Sequence, residues 1–474
     1  MQTINQLLQE LEQLNLIETV KKQVIQGFVY AIYPTDEQKI FIHQNQGCSR
    51  QLYNLFVDEL YTYLDSINFV NGYIPDEFIK RLSKYSYYSN NPKYEYMKQV
   101  DSLALSNTRL AFCNAINKYN NKDAEKKEYT KRAKRRLKNK GIEHTYKDLK
   151  GMPKFKAKFY SEQSYSTNNQ NDSVKLVDID SKKCMGLKIP KMKPLIKLRY
   201  HRKLPDEYKI GKATITRITK DKYEVSLTVT YKKEIKVLKT DKDSIEKLKA
   251  FFKEHKDKCL GLDYAQVEGC VPSELNLLDK ILNKFQKRYR QNEEKLKILN
   301  QRLSMKVFRS RNYQKLLTKV QVLQHKIAMT RHTALHQLSH YISKHFLLVS
   351  VEDIDLRAMS QCLHLGKNLM DNGFGMFRTM LKYKMKREGL FFVKINKWAK
   401  SSQTCNHCGY VNEITRDLSV KEYDCPSCRR HILRDYNAAC NIRDIGIDSM
   451  TAEMFIEKKA KRSLANMRKK KAKH

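Results

Sequence analysis

The sequence predicts a multidomain chain of mixed α and β structure. Its 474 residues are enough for about two to four domains and a substantial core. Period-two alternation dominates residues 153–233, and long polar stretches with helical periodicity lie on both sides of it. Three short apolar runs in the C-terminal half have the composition of buried strands. Four cysteines clustered between 405 and 428 predict a small metal-bound module.

The net charge predicts a polyanionic partner. Lys and Arg number 92 against 51 Asp and Glu, which leaves a formal charge of +41. A compact particle with this excess repels itself unless an anion lies nearby. No apolar run reaches the roughly 18 residues of a membrane span, and no signal peptide opens the chain. We therefore expect nucleic acid rather than a membrane as partner, although charge alone does not separate a nuclease from a packaging protein.

The N-terminal half predicts helices around one β structure. Helical periodicity covers three stretches, 3–22, 36–65 and 95–119. A β-type stretch at 24–30 and a hairpin of residues 213–218 and 223–229 predict strands that share one small barrel, with the helical region inserted between them.

Two basic stretches stand out. Residues 126–140 hold nine Lys or Arg and one acid, and the run is either a solvated face or a phosphate-binding surface. Residues 458–474 hold nine Lys or Arg and no acid, which predicts a disordered basic tail.

The C-terminal half alternates buried strands with helices. Residues 276–345 predict two long helices with many basic positions, and 374–388 predict another. The predicted strands are the apolar runs 259–262, 346–351 and 390–395.

Two of these strands end in a carboxylate, namely Asp263 and Glu352. Strand ends are where sites form in open α/β sheets, and neighbouring carboxylates are costly unless a cation neutralises them. Magnesium prefers such oxygen ligands, and two ions about 3.5–4 Å apart hold an attacking water and a leaving oxygen in line. Each acid taken alone could equally be a helix cap or a surface residue.

The cysteine spacing predicts a structural zinc site. The pairs are Cys405-x2-Cys408 and, 16 residues later, Cys425-x2-Cys428. Gly409 and Pro426 suit tight knuckles, while His407 and His431 are expected not to be ligands. The other cysteines are scattered, and the odd total of eleven cysteines in the chain argues against a disulfide framework and for a reducing cytosol.

Asp435 follows the cysteine module at the start of a predicted helix. It could simply cap that helix, whose small Ala438 and Ala439 permit close packing on a sheet. A helix N-terminus also stabilises an anion, so capping and catalysis are compatible roles.

Several motifs together resemble the TnpB family of transposon-encoded, RNA-guided nucleases, which are related to the miniature type V CRISPR effectors. The C-terminal ones are Gly261-Leu262-Asp263-Tyr264, Val351-Glu352-Asp353 with Met359-Ser360-Gln361, Asp371-Asn372-Gly373-Phe374-Gly375-Met376-Phe377, Ser401-Ser402-Gln403-Thr404-Cys405 and Arg434-Asp435-x-Asn437-Ala438-Ala439-x-Asn441-Ile442. The N-terminal ones are Tyr33-Pro34-Thr35-x-x-Gln38, Gly47-Cys48-x-Arg50-x-x-Tyr53-Asn54 and Pro153-x-Phe155-Lys156. The resemblance spans roughly residues 24–445.

The resemblance implies a β-barrel wedge domain with an inserted helical recognition domain, followed by an RNase H-like (RuvC) α/β nuclease domain with an inserted zinc ribbon. The implied boundaries are the wedge at 24–35 and 151–240, the recognition domain at 36–150, the nuclease at 255–400 and 431–450 and the zinc-ribbon target-nucleic-acid-binding module at 401–430. Periodicity and composition add an N-terminal amphipathic helix at 1–23 and a basic tail at 451–474.

It also implies site residues. Asp263, Glu352 and Asp435 match the three RuvC ligands of two Mg²⁺ ions. Asp353 and Asp355 compete for the second position, but the family motif aligns with Glu352. The residues expected to support the site are Arg434 and Asn437, and those expected to contact nucleic acid are Arg50, Tyr53, Asn54, Lys154 and Lys156.

By this resemblance we expect an RNA-guided, Mg²⁺-dependent DNA endonuclease in the prokaryotic cytoplasm, associated with the nucleoid when on target. It would bind a structured guide RNA from a transposon end or a CRISPR array, recognise a short motif beside its double-stranded DNA target and hydrolyse DNA in one RuvC site. Two alternatives stay open: an RNA-guided DNA-binding repressor with weak or no cleavage, and transposase-type strand transfer. The sequence leaves open whether the chain is a monomer or a homodimer.

Two features depart from the family pattern. Only eleven residues, 264–274, follow Asp263 before the next predicted helix, so the usual β-hairpin is shortened and cleavage could be weaker. An amphipathic segment at 3–22 precedes the usual start and could pair with another chain or dock an accessory RNA.

Overall fold

A computed structural model describes most of the chain, namely residues 3–121, 127–158, 163–179, 184–219, 221–239, 241–263, 271–273, 279–354, 373–417 and 419–455. The chain forms two compact units, one of residues 23–232 and one of residues 1–22 with 233–474. Within the described ranges, no helix is both long and apolar enough to cross a membrane.

The helices are α1 (Ile4–Gln13), α2 (Asp36–Ser66), α3 (Asp76–Arg81), α4 (Tyr85–Ser89), α5 (Ser102–Asn120), α6 (Lys131–Lys140), α7 (Lys242–Glu254), α8 (Asp279–Ser304), α9 (Arg311–His345), α10 (Phe374–Glu388), α11 (Arg434–Asp448) and α12 (Ala452–Phe455). The strands are β1 (Ile17–Tyr33), β2 (Gln163–Asn168), β3 (Lys175–Asp178), β4 (Cys184–Ile189), β5 (Met192–Arg199), β6 (Lys209–Arg217), β7 (Tyr223–Leu238), β8 (Cys259–Asp263), β9 (Val271–Pro272), β10 (Leu348–Glu352), β11 (Phe391–Ile395), β12 (Glu422–Asp424) and β13 (His431–Leu433).

The unit of residues 23–232 contains a seven-stranded sheet in the order β2-β6-β7-β1-β5-β4-β3. The predicted hairpin is β6 with β7, which pair antiparallel with Ile215 opposite Val225. Alternate residues of β7, such as Val225 and Leu227, are completely buried, as the period-two pattern requires. The early strand and this hairpin lie in one sheet, and the closure of that sheet into a small barrel stays a prediction.

The helices of this unit follow their sequence signals. Thr35 and Gln38 form a capping box at the start of α2, and the Gln38 amide also donates to the carbonyl of Pro194 on β5. Within the basic stretch, residues 131–140 form α6, which ends at Gly141 with φ +62°. One residue of that stretch, 126, lies outside the described residues.

The unit of residues 1–22 and 233–474 contains a four-stranded sheet in the order β11-β10-β8-β9. Strands β11, β10 and β8 are parallel, whereas β9 is antiparallel to β8. Residues 259–262 and 348–351 are all buried, as expected for parallel strands covered on both faces. The two long helices predicted within 276–345 are α8 and α9.

The N-terminal helix is shorter than predicted. Helix α1 ends at Gln13 instead of residue 22, and β1 begins at Ile17. Asn15 adopts a left-handed conformation (φ +59°), which ends helices, and the following residues are rich in β-branched types. Leu7 and Leu11 lie in the core of their own unit. The apolar face of α1 is therefore already covered by its own unit, which argues against the use of this face to dock another chain.

Some predictions fall outside the described residues. Among them are Asp355, the motif at 359–361, Asp371 and Asn372, and the basic tail from residue 456. The shortened segment after Asp263 is described only in part, where β9 contributes two residues.

Candidate active site and zinc ribbon

Two of the predicted acids end neighbouring parallel strands. In the ladder between β8 and β10, Leu262 lies opposite Val351. The next residues are Asp263 and Glu352, the last of each strand. Because the strands run in the same direction, both acids reach the same carboxyl edge of the sheet.

Helix α11 packs on this sheet at two glycines. A Cβ atom on Gly261 of β8 would lie 1.9 Å from the carbonyl oxygen of Ala439. A Cβ atom on Gly446 would lie 2.0 Å from the hydroxyl oxygen of Ser350 on β10. Only glycine fits at such distances, so the helix backbone lies directly against the strands.

These contacts define the face and direction of the site. Residues two apart in a strand share a face, so Asp263 and Glu352 lie on the face that α11 covers, with Gly261 and Ser350. The C-terminal part of α11 lies near the start of β8, because Lys256 contacts Asp444 at 3.4 Å. The N-terminus of α11, which carries Asp435, is therefore directed towards the carboxyl edge.

The environments of the neighbouring acids differ. Burial raises the pKa of Glu352, and no described residue donates a hydrogen bond to its carboxylate. Lys394 donates to Asp353 at 2.6 Å and lowers the pKa of Asp353. Arg378 donates to the main-chain carbonyl of Glu352 at 3.3 Å. Asp353 is thus paired with Lys394, whereas the Glu352 carboxylate is partly desolvated and has no cationic partner among the described residues.

The Asp435 carboxylate contacts two basic residues. Its carboxylate accepts a hydrogen bond from Lys421 at 3.2 Å, and the guanidinium of the buried Arg434 lies 3.9 Å away. Asp263, Glu352 and Asp435 are not gathered as tightly as the cysteines below. Among the described residues, the group of three or more potential ligands whose ligand atoms all lie within 4.8 Å of one another is the cysteine cluster.

The four cysteines form a cluster consistent with a zinc ribbon. The Cys405 and Cys428 sulfurs are 3.8 Å apart, and those of Cys408 and Cys425 are 3.6 Å apart. A tetrahedral zinc ion with Zn–S bonds of about 2.3 Å separates its sulfurs by about 3.8 Å, so the cluster fits this metal. A hydrogen bond from the Tyr410 main-chain N–H is the largest cause that lowers the pKa of Cys408, to about 6.

Each knuckle needs one left-handed residue. Gly409 has φ +78°, as its glycine predicted. In the second knuckle the left-handed residue is Arg429, with φ +56°, at the position equivalent to Gly409. His431 contacts Asp424 instead of the cluster, in line with the prediction that it is not a ligand.

Two asparagines dock the ribbon on α11. The Asn437 amide donates to the carbonyl of Thr404 at 2.7 Å and accepts from the N–H of Asn406 at 2.9 Å. The Asn441 amide donates to the carbonyls of Ser401 and Thr404. The sequence prediction included Asn437 but overlooked Asn441, although their four-residue spacing places both on one helix face.

The predicted nucleic-acid contacts lie in the other unit, and most of them cluster. Asn54 exchanges two hydrogen bonds with the main chain of Lys156, at 3.1 and 2.8 Å. The Lys156 ammonium lies 3.9 Å from the centre of the Tyr53 ring, and desolvation there lowers its pKa. Arg50 donates to Gln163 at 2.9 Å. A cavity of about 190 Å³ borders Arg50, Tyr53 and Lys156, whereas Lys154 is exposed and does not line it.

Comparison with known families agrees with this architecture. Residues 24–63 match a helix-turn-helix domain model, residues 273–363 a probable transposase model and residues 374–442 the TNB domain of Cas12f1-like proteins. The predicted resemblance to the TnpB family is confirmed. In this TnpB-like chain, residues 24–63 are not a helix-turn-helix but the end of β1 followed by most of α2.

Individual relatives point the same way. The chain is 29% identical over 202 residues to the putative RNA-guided DNA endonuclease InsQ of Escherichia coli K12, a match that covers 40% of this chain and 48% of InsQ. It is 24% identical over 432 residues to a putative RNA-guided DNA endonuclease of Streptomyces pristinaespiralis, covering 90% of each. A cryo-EM structure of a Cas12f1–sgRNA–target DNA complex superposes with a TM-score of 0.52 at 12% identity, over 90% of this chain and 99% of the other. That likeness establishes the fold.

Proposed function

We propose that this chain is an RNA-guided DNA endonuclease of the prokaryotic cytoplasm. It binds a guide RNA, recognises a short motif beside the target and cuts DNA in one site at the carboxyl edge of β8 and β10. The relatives named as RNA-guided DNA endonucleases support the activity. The observation that carries the site is the parallel register, which ends two adjacent strands in Asp263 and Glu352 beneath α11.

Magnesium suits the residues of this edge. Glu352 is a partly buried carboxylate with a raised pKa, and a bound cation would relieve its desolvation. Asp263, Glu352 and Asp435 would hold two ions, which supply a water nucleophile and stabilise the leaving oxygen. Arg434 and Lys421 contact the Asp435 carboxylate, whose remaining lone pairs would be available to a metal ion. One structural zinc ion would be held by the four cysteines, which leave no open position for water.

The cavity near Arg50 and Tyr53 is our candidate for contact with nucleic acid. Its cationic and aromatic groups lie on helix α2 and on the segment before β2, so they are presented by fixed elements. The aromatic ring and the partly desolvated ammonium of Lys156 suit a base edge better than a phosphate alone.

The site is tested by isosteric substitution of the acids. The protein would be purified with its copurifying RNA, which is sequenced, and then given plasmids that carry the matching target beside randomised bases. Asp263→Asn and Glu352→Gln should each reduce Mg²⁺-dependent cleavage about a hundredfold or more while target binding persists. Asp353→Asn is the matched control and should retain cleavage, because its carboxylate is bound to Lys394.

The outcomes separate the proposals. If cleavage survives Glu352→Gln but not Asp353→Asn, the second metal-binding carboxylate is Asp353 and not Glu352. A wild-type chain that binds the target without cutting it is the repressor, and joined DNA products would indicate strand transfer. Absence of any copurifying RNA would contradict the guided function.

A further inference from the structure

The single tryptophan of the chain is exposed. Trp398 retains 78% of its accessible surface. Tryptophan is the largest side chain and normally buries most of its area in a core or an interface. A ring presented to solvent to this extent therefore points to a partner that covers it.

Its position is next to the proposed active site. Strand β11 ends at Ile395, which lies opposite Glu352 in the parallel ladder with β10. Trp398 follows three residues later, beyond the same carboxyl edge. Anything stacked on this ring would therefore approach the edge at which Glu352 ends its strand.

The segment that carries the ring is anchored at both ends. The main-chain N–H of Trp398 donates to the Asn396 side chain at 3.0 Å, and that of Ala399 donates to the Asn396 carbonyl at 3.1 Å. A few residues later, the Ser401 carbonyl accepts a hydrogen bond from Asn441 of α11. The exposed ring is thus held on fixed backbone.

The surroundings of the ring are cationic. The Lys397 ammonium lies 4.7 Å from the ring centre, and Lys400 is exposed on the same segment. An aromatic face combined with lysines is the combination that binds single-stranded nucleic acid, because a base stacks on the ring while the ammonium groups contact phosphate. A purely apolar protein partner would not favour these charges.

We propose that Trp398 stacks on an unpaired base of the DNA strand that is to be cut and so positions that strand at the carboxyl edge of β8 and β10. The inference rests on the proposed nuclease function. Trp398 is a positioning residue, since the proposed reaction takes place at the metal-binding carboxylates and not at the ring. A duplex, whose bases are already stacked on one another, should not occupy the ring.

Because the chain has one tryptophan, its fluorescence reports on this ring alone. The RNA-bound protein carrying Asp263→Asn, which prevents cleavage, would be titrated with an oligothymidylate of about twelve nucleotides. We expect saturable quenching by the single strand and little change with a duplex of the same length. Unchanged tryptophan emission while the oligothymidylate is shown to bind would overturn the inference. An emission shift that depends only on protein concentration would also overturn it, because it indicates that a second copy of the chain covers the ring.

Cleavage kinetics provide the second readout, in a chain with intact acids. Trp398→Leu should raise the KM for a target with an unpaired strand by about tenfold, the equivalent of one base stack, with a smaller change in kcat. Trp398→Phe should restore most of this loss. Ile25→Ala, on β1 where the side chain is 70% exposed, is the control and should leave KM unchanged.

The outcomes of these experiments distinguish the stacking role of Trp398 from the proposed nuclease function. Quenching by single strands without any cleavage in the wild-type chain would contradict the nuclease function and leave the stacking role intact. Normal cleavage by Trp398→Leu would contradict the stacking role and leave the function intact.

Discussion

At the scale of residues, the surroundings of a carboxylate distinguish acids that the sequence alone presents as equal candidates for a metal site. Glu352 and Asp353 are adjacent in the chain and either suits a metal site. Lys394 lies forty-one residues further along the sequence, yet its ammonium donates to Asp353 and leaves Glu352 desolvated. Lys421, which binds Asp435, was likewise not predicted. Such partners come from tertiary packing, and no local pattern in the sequence identifies them.

Gly261 provides a prediction at this scale. Gly261→Ala should destabilise the protein by about 3 kcal/mol, because its Cβ would overlap the Ala439 carbonyl and force α11 away from β8. Thermal unfolding should show a lower melting temperature together with a loss of cleavage. Gly27→Ala is the control, since no atom lies within 4 Å of its Cβ position. Equal melting temperatures for the two variants would mean that the helix does not lie directly on the strand.

At the scale of elements, periodicity predicted most of the structure. Helix α10 covers the predicted residues 374–388, and β11 was predicted within one residue of its start. The exception is α1, for which helical spacing of leucines continued past Asn15 into a β-branched segment. The cysteine spacing predicted the ribbon because two paired knuckles are a local signal, whereas its docking through Asn406 and Asn441 depends on the fold.

The ribbon provides a prediction for this scale. Cys425→Ser should reduce bound zinc from about one ion per chain to nearly none, measured by elemental mass spectrometry. The melting temperature and the rate of cleavage should both fall, because Asn437 and Asn441 join the ribbon to the helix that carries Asp435. Cys113→Ser, outside the cluster, should keep the zinc. A Cys425→Ser chain with full zinc content would exclude this ligand set.

At the scale of the whole molecule, the charge of +41 was the first indication of function and is still unassigned to particular contacts. Charge counts do not reveal which cations touch phosphate. The sequence left residues 126–140 as either a solvated face or a phosphate-binding surface. The structure makes most of that stretch a helix, α6, with Arg132 and Arg135 exposed, and this geometry is compatible with both roles.

The salt dependence of RNA binding distinguishes the two possible roles of α6. Affinity for the copurifying RNA should fall at least about tenfold between roughly 50 and 200 mM salt, since bound cations release counterions from phosphate. If α6 contacts phosphates, the double variant Arg132→Gln with Arg135→Gln should flatten the log–log slope by about two. An unchanged slope would assign α6 to the solvated face. Filter binding over a salt series measures both.

The docking of the ribbon has a practical consequence for shortening the chain. One short stretch of α11 carries Asp435 and also Asn437, which fastens the ribbon to the helix. A truncation that deletes the ribbon would leave the Asn437 amide without its partners, only two residues before Ala439, whose carbonyl lies against Gly261 of β8. Miniaturisation of this scaffold should therefore begin elsewhere, or supply a new cap for the first turn of α11.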